Sequence, residues 1–201
     1  ECFSIAMGWK ITLSLFFGVF IFFLLFTYWF IPISGSEFIP QSKSSTEIIQ
    51  ESKIKNLQFY ENMRFKYSEI SYNIGNCPIA KRDEMIRAFE LLENETVLTF
   101  YPVAANEEIS IICDSKRKIE DGLFIAGEGG PTNITKSGEF NVISKGTIFL
   151  FKESSCESPN VALHELLHVV GFNHTDNIYD IMYPISKCSQ KLMDYETELI
   201  D

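Results

Sequence analysis

Apolar and polar positions alternate with several different periods along this chain, and each period predicts an element. From Ile11 to Ile33 the run is almost wholly apolar and carries no charge. A helix of roughly 20 apolar residues spans a bilayer core of about 30 Å. Residues 11–33 therefore read as a transmembrane anchor behind a short segment at 1–10. Trp9, Tyr28 and Trp29 flank the run, where aromatic rings suit the two interfaces. A cleaved signal peptide is the competing reading, with Ser34, Gly35 and Ser36 as small residues for a cleavage site. Signal-peptide apolar cores span about 7–15 residues, and this one is longer, which favours a retained anchor. Residues 34–64 are rich in Ser, Lys, Gln and Glu and read as a stalk. Residues 65–201 read as the folded domain.

Within that domain, alternation over Glu69–Ile74 predicts a strand, closed by Gly75 and Asn76. Ile79, Met85, Ile86, Phe89 and Leu92 recur near helical spacing, with Pro78 early and Asn94-Glu95 as the stop. Further strands are expected at Val97–Val103, Glu108–Cys113, Leu123–Ala126 and Gly146–Phe151. Ser158 is placed to cap a helix, with Pro159 in its first turn and Gly171 as its end. A short last helix begins at Asp194.

The penultimate helix carries the chemistry. His164, Glu165, His168, Gly171 and His174 form H-E-x-x-H-x-x-G-x-x-H and use every histidine in the sequence. Residues four apart share a helical face, so His164 and His168 aim at one metal ion. Glu165 lies about 100° round the helix, within reach of a water on that metal. A glycine at 171 can turn the chain back and bring His174 to a third corner. Three imidazoles with an open fourth position describe a catalytic zinc site rather than a structural one. A chance match to all five positions is on the order of 1 in 10⁵.

Eight residues past His174 come Met182, Tyr183 and Pro184. The extended motif followed by this turn resembles the metzincin clan of zinc proteases, closest to the matrixin-like families. The resemblance implies an α/β (α+β) catalytic domain: a twisted mixed β-sheet, a zinc-binding helix and a Met-turn. It makes His164, His168 and His174 the ligands of one catalytic zinc, and Glu165 the general base. It places Met182 as a floor beneath the metal and Tyr183, Pro184 and Ile185 along the pocket after the scissile bond. It also implies that the Gly122–Gly130 segment is an edge strand that pairs with the substrate backbone; a plain loop is the alternative. Other families of the clan carry a metal-reaching tyrosine two residues after the methionine. Pro184 stands there, so Tyr183 is not assigned as a ligand.

The expected activity is zinc-dependent endopeptidase cleavage of protein or peptide substrates. The alternative is a non-catalytic, membrane-tethered zinc-binding or interaction module on the same fold, against which the retained Glu165 argues. An intramembrane protease is a weaker rival, because Val161–Phe172 is too short to span a bilayer. A second histidine-bound zinc is excluded, since all three histidines are used. Calcium on carboxylates is compatible with the composition, but no calcium-loop pattern occurs.

Charge and cysteines refine the setting. The net charge of −10 repels nucleic-acid phosphates, so nucleic acid is not expected as a partner. Lys10 weakly favours a cytoplasmic start, which puts the domain outside; secretion after cleavage is the alternative. Beyond the anchor stand four cysteines, Cys77, Cys113, Cys156 and Cys188, an even number that suits an oxidising exterior. Four cysteines allow three pairings. Cys77–Cys113 and Cys156–Cys188 are the expected ones, the first tying a helix start to a strand, the second bracing the flanks of the zinc motif. Reduced, buried thiols are the competing reading. Asn94 and Asn133 begin glycosylation-type triplets.

Overall fold

The protein was analysed as a computed structural model that describes residues 21, 57–115, 118–120, 123–152 and 156–201. The expected anchor at 11–33 and most of the expected stalk lie outside these residues. Among the described residues no helix is long and apolar enough to cross a membrane.

In chain order the elements are β1 (Met63–Phe65), β2 (Glu69–Ile74), α1 (Ile79–Glu95), β3 (Thr99–Pro102) and β4 (Ile109–Cys113). There follow β5 (Lys118–Glu120), β6 (Leu123–Ile125), β7 (Gly127–Ser137), β8 (Phe140–Leu150), α2 (Asn160–Val169) and α3 (Asp194–Ile200). One mixed sheet holds β1, β8, β4, β2 and β3 in parallel pairings, while β7 runs antiparallel to β8 along its whole length. The short β5–β6 hairpin forms a separate antiparallel pair.

Alternation sets the buried face. Ile109 and Ile111 of β4 and Ile148 and Leu150 of β8 point into the core, while Ile112 points out. α1 and α2 touch each other and share this core. Met85, Ala88, Phe89 and Leu92 supply the buried stripe of α1 at the i, i+3, i+4, i+7 positions. Phe89 packs between Tyr72 and Phe100, with ring centroids 4.4 and 4.6 Å away.

The start of α1 is locked to the carboxyl ends of β4 and β8. Cys77 and Cys113 are disulfide-bonded. Lys81, buried one turn on, donates from Nζ to the carbonyls of Asp114 (2.9 Å), Leu150 (3.0 Å) and Phe151 (2.9 Å). Three carbonyl partners satisfy the ammonium's three protons, which is the condition for keeping a charge in a core.

Several expectations need correction. The folded unit begins ahead of Phe65: Met63–Phe65 pairs with β8, and Gln58 bridges Phe172. A three-residue strand is too short to show a period, so it was hidden within the polar stretch assigned to the stalk. Ile79 is 78% exposed, because the buried stripe of α1 starts later. The strand expected at Gly146–Phe151 is twice as long and starts at Phe140. Of the edge strand expected at Gly122–Gly130, Gly122 lies outside the described residues and Leu123–Ile125 belongs to the β5–β6 pair; the edge strand of the main sheet starts at Gly127 and continues to Ser137 through an irregularity at Pro131–Asn133. A proline and a local register shift are tolerated there because β7 is an edge strand. Ser158 does not cap α2 with its side chain; Pro159 occupies the cap position. The two disulfides pair as expected, Cys156 with Cys188 as the second, which sets aside the reduced thiols and the other pairings. Asn94 and Asn133 are both exposed.

Replacing Lys81 by Met should take the ammonium from three carbonyls at the sheet's end, of which Leu150 keeps the Asp114 N–H at 3.2 Å, and lower unfolding free energy by about 2–4 kcal/mol. Denaturant unfolding of the disulfide-intact chain reads this directly. A change below about 1 kcal/mol would mean that water re-satisfies those carbonyls.

Candidate active site and metal centre

All ten residues of α2 are buried, including His164, Glu165 and His168. The helix lies against β7 and β8 at a distance that only glycine permits. A Cβ on Gly129 would sit 2.2 Å from the Glu165 carbonyl oxygen, and one on Gly127 2.7 Å from Glu165 Cγ. Further along, a Cβ on Gly146 would meet Val169 Cγ1 at 2.5 Å. Gly127 and Gly129 alternate on one face of β7, so together they form a slot for the helix.

After α2 the chain turns at Gly171, whose φ of +108° is open to glycine and strained for other residues. The segment before β1 secures this turn. Phe59 N–H donates to the Gly171 carbonyl at 2.9 Å, and Asn173 N–H donates to the Leu57 carbonyl at 2.8 Å. The Phe59 ring stacks on His168 with centroids 5.6 Å apart. His174 is thereby swung back toward the helix.

Three imidazoles converge as a result. His174 Nε2 lies 3.2 Å from His164 Nε2 and 3.1 Å from His168 Nε2. Ligands at about 2.0–2.1 Å from a tetrahedral zinc stand roughly 3.3–3.4 Å apart, so these separations suit three corners of one ion. The far nitrogens are committed elsewhere: His164 Nδ1 donates to the Ile181 carbonyl at 2.7 Å, and His168 Nδ1 to the Phe172 carbonyl at 2.8 Å. That tautomer leaves each Nε2 lone pair facing the common point. Burial pushes the His164 imidazole down to about 4 and the His168 imidazole down to about 3. His174 is also lowered by burial. All three are neutral at physiological pH, as metal ligands must be. Among the described residues this is the one cluster of metal-ligating groups. The donor set fits zinc.

Glu165 projects into the same cleft. Its carboxyl is pushed up to about 8, first by burial and then by the neighbouring Glu128, while the backbone N–H of Gly129 holds it partly down. β7 therefore supplies the slot, one hydrogen bond and one repelling charge to this carboxyl. The cleft has a volume of about 590 Å³ and is lined by the three histidines, Glu165, β7 residues and the segment Pro184–Cys188. Pro184 and Ile185 line this cleft. Tyr183 does not line it: Tyr183 N–H closes a turn onto the Asp180 carbonyl at 3.1 Å, and its ring lies beneath Lys187 Nζ. Met182 is fully buried in the same turn.

That turn is held from behind by groups without a sequence motif. Asp180, fully buried, accepts from the Met182 N–H at 2.7 Å and from the Tyr195 hydroxyl of α3. Glu196, also fully buried, accepts from Met193 N–H at 2.8 Å. Burial and then the adjacent Asp180 raise the Glu196 pKa. Asp180 is raised by burial as well, so the pair holds a proton more tightly than separate carboxyls would. The Ile181 carbonyl that orients His164 lies between Asp180 and Met182, so the pair supports a ligand indirectly.

A helix bearing two imidazoles and a carboxyl, a third imidazole beyond a glycine turn, and a buried methionine turn together define a metzincin-type metal centre. Residues 59–198 match the matrixin family, and the chain belongs to that family of zinc metalloproteases. A curated relative, the zinc metalloproteinase nas-22 of Caenorhabditis elegans, is 28% identical over 99 residues. The match covers 49% of this chain and 22% of that protein's length.

Glu196 ties the turn to pH. Its folded pKa lies above the unfolded value near 4.5. The folded state therefore holds a proton that the unfolded chain has released, and stability falls as pH rises from about 4.5 through the raised value. Glu196→Gln, with zinc bound in both proteins, should flatten that decline in melting temperature between pH 5 and 8. Parallel declines in the two proteins would remove Glu196 as its source.

Proposed function

We propose that this protein is a membrane-anchored zinc endopeptidase that cleaves extended peptide segments laid along β7. The observation that carries the reading is the convergence of three neutral Nε2 atoms on one point, with the Glu165 carboxyl in the same cleft. β7 pairs on one side only among the described residues, leaving backbone donors and acceptors for a substrate strand.

His164, His168 and His174 would hold the metal, and bound zinc would supply Lewis acidity. Glu165 receives the proton of the attacking water on its carboxylate and passes it to the departing amine nitrogen. Burial and Glu128 raise that carboxyl's proton affinity, and the charge of a bound dication would lower it again. Gly129 N–H keeps the carboxylate oriented. Met182 packs the turn whose Ile181 carbonyl fixes the His164 ring.

The anchor is residues 11–33, supported by their length and lack of charge. An extracytoplasmic domain is supported by its two disulfides.

Glu165→Gln should keep stoichiometric zinc and lose about 10²–10⁴-fold in peptide-library cleavage. Equal cleavage by variant and wild type would end this mechanism, and zinc binding without cleavage in the wild type would favour the non-catalytic module. Full-length protein should stay with membranes through alkaline carbonate extraction; appearance in the soluble fraction would replace the anchor by a cleaved leader.

A further inference from the structure

The wall of the cleft at Pro184–Cys188 is built more firmly than metal binding needs. Lys187 is fixed at both ends of its peptide unit. Its N–H donates to Gln190 Oε1 at 2.7 Å, and its carbonyl accepts from Asn160 Nδ2 at 2.8 Å. Gln190 Nε2 donates in turn to the Ile185 carbonyl at 2.9 Å. Asn160 and Gln190 are buried, so water competes little for these bonds. Cys188, the next residue, is bonded to Cys156, which lines the same cleft. Asn160 is also the first residue of α2, so the wall and the histidine-bearing helix are tied together.

Lys187 thus extends from a rigid backbone, its exposed ammonium over the Tyr183 ring at 5.8 Å. A second lysine, Lys152, lines the same cleft just past β8, its ammonium over the Phe124 ring at 5.7 Å. In a chain of net charge −10, two lysines in one cleft run against the overall balance. The described carboxylates lining it are Glu165 and Glu128, both at the β7 contact.

We propose that Lys187 and Lys152 make the cleft selective for substrates with an acidic side chain, Asp or Glu, adjacent to the scissile bond. This rests on the proteolytic reading above and names the substrate class for it. A carboxylate reaching the ammoniums forms charge-assisted hydrogen bonds. The pinned backbone of Lys187 reduces the ordering that binding must impose. The same charges repel a basic side chain, so selectivity has an attractive and a repulsive part. Both lysines are exposed, so each contributes a modest factor, on the order of three- to fivefold.

The test uses the full zinc-loaded chain and a degenerate peptide library whose cleaved bonds are mapped by mass spectrometry. Matched peptides follow, differing only in Asp, Asn, Leu or Lys beside the cleaved bond. The expected result is a kcat/KM ratio of Asp to Asn of roughly tenfold at low salt, shrinking toward one at ~0.5 M salt as the charges are screened. Lys187→Glu should invert the order in favour of Lys, and Lys152→Gln should reduce the Asp preference. Ratios taken within one variant cancel any loss of folded protein. Wild-type cleavage with Asn or Leu as good as Asp overturns the selectivity and leaves proteolysis standing, as does an unchanged ratio in Lys187→Glu. Failure of the wild type to cleave any peptide overturns both.

Discussion

The contact on which the rest of this protein depends is the packing of α2 into the glycine slot of β7. A helix whose ten residues are all buried must orient two imidazoles and a carboxyl at the floor of the cleft with little help from water. The slot does this by bringing strand backbone against the helix, closer than any side chain would permit. It gives Glu165 its one backbone hydrogen bond, desolvates it and sets Glu128 beside it. The raised proton affinity of Glu165 is thus a direct consequence of how closely helix and strand approach.

The imidazoles are served from the other side. His164 and His168 each lose a proton-bearing nitrogen to a backbone carbonyl, and those carbonyls belong to two different turns. The first is held by Asp180, Tyr195 and Glu196. The second is held by residues 57–59, ahead of the first strand. Metal-binding geometry is therefore distributed over almost the whole length of the domain, from Leu57 to Glu196. This is the usual logic of a metal site, in which outer partners set the tautomer and angle of each ligand.

The cleft divides in two. Near β7 it is acidic and shaped for proton transfer; near the 184–188 wall it is cationic and rigid. The Cys156–Cys188 bond and Asn160 connect that wall to the start of α2, so the wall and the histidine-bearing helix form one mechanical unit. A site assembled on rigid elements positions its groups better than one left to free loops.

The metal ligands were legible from residue types and spacing, because helical periodicity turns a linear interval into a shared face. β2 was likewise read at its observed bounds and α3 at its observed start, and the long edge strand was half read, since glycine and proline mask the alternation that continues to Ser137. Tyr183 does not itself line the cleft, its ring lying beneath the ammonium of Lys187, which does. Gly127 and Gly129 did carry a signal, a period of two on a strand face, but what they make room for lies 36 residues or more along the chain. Asp180, Glu196, Lys81, Asn160 and Lys187 carried none: each is an ordinary polar residue whose role comes from burial or from a partner distant in sequence. By itself, then, the sequence determined the three imidazoles suited to zinc and the carboxyl beside them, because those depend on local helical geometry. Only the tertiary structure decided the proton affinity of that carboxyl and the charge of the cleft it faces, because both arise where distant segments exclude water from one another.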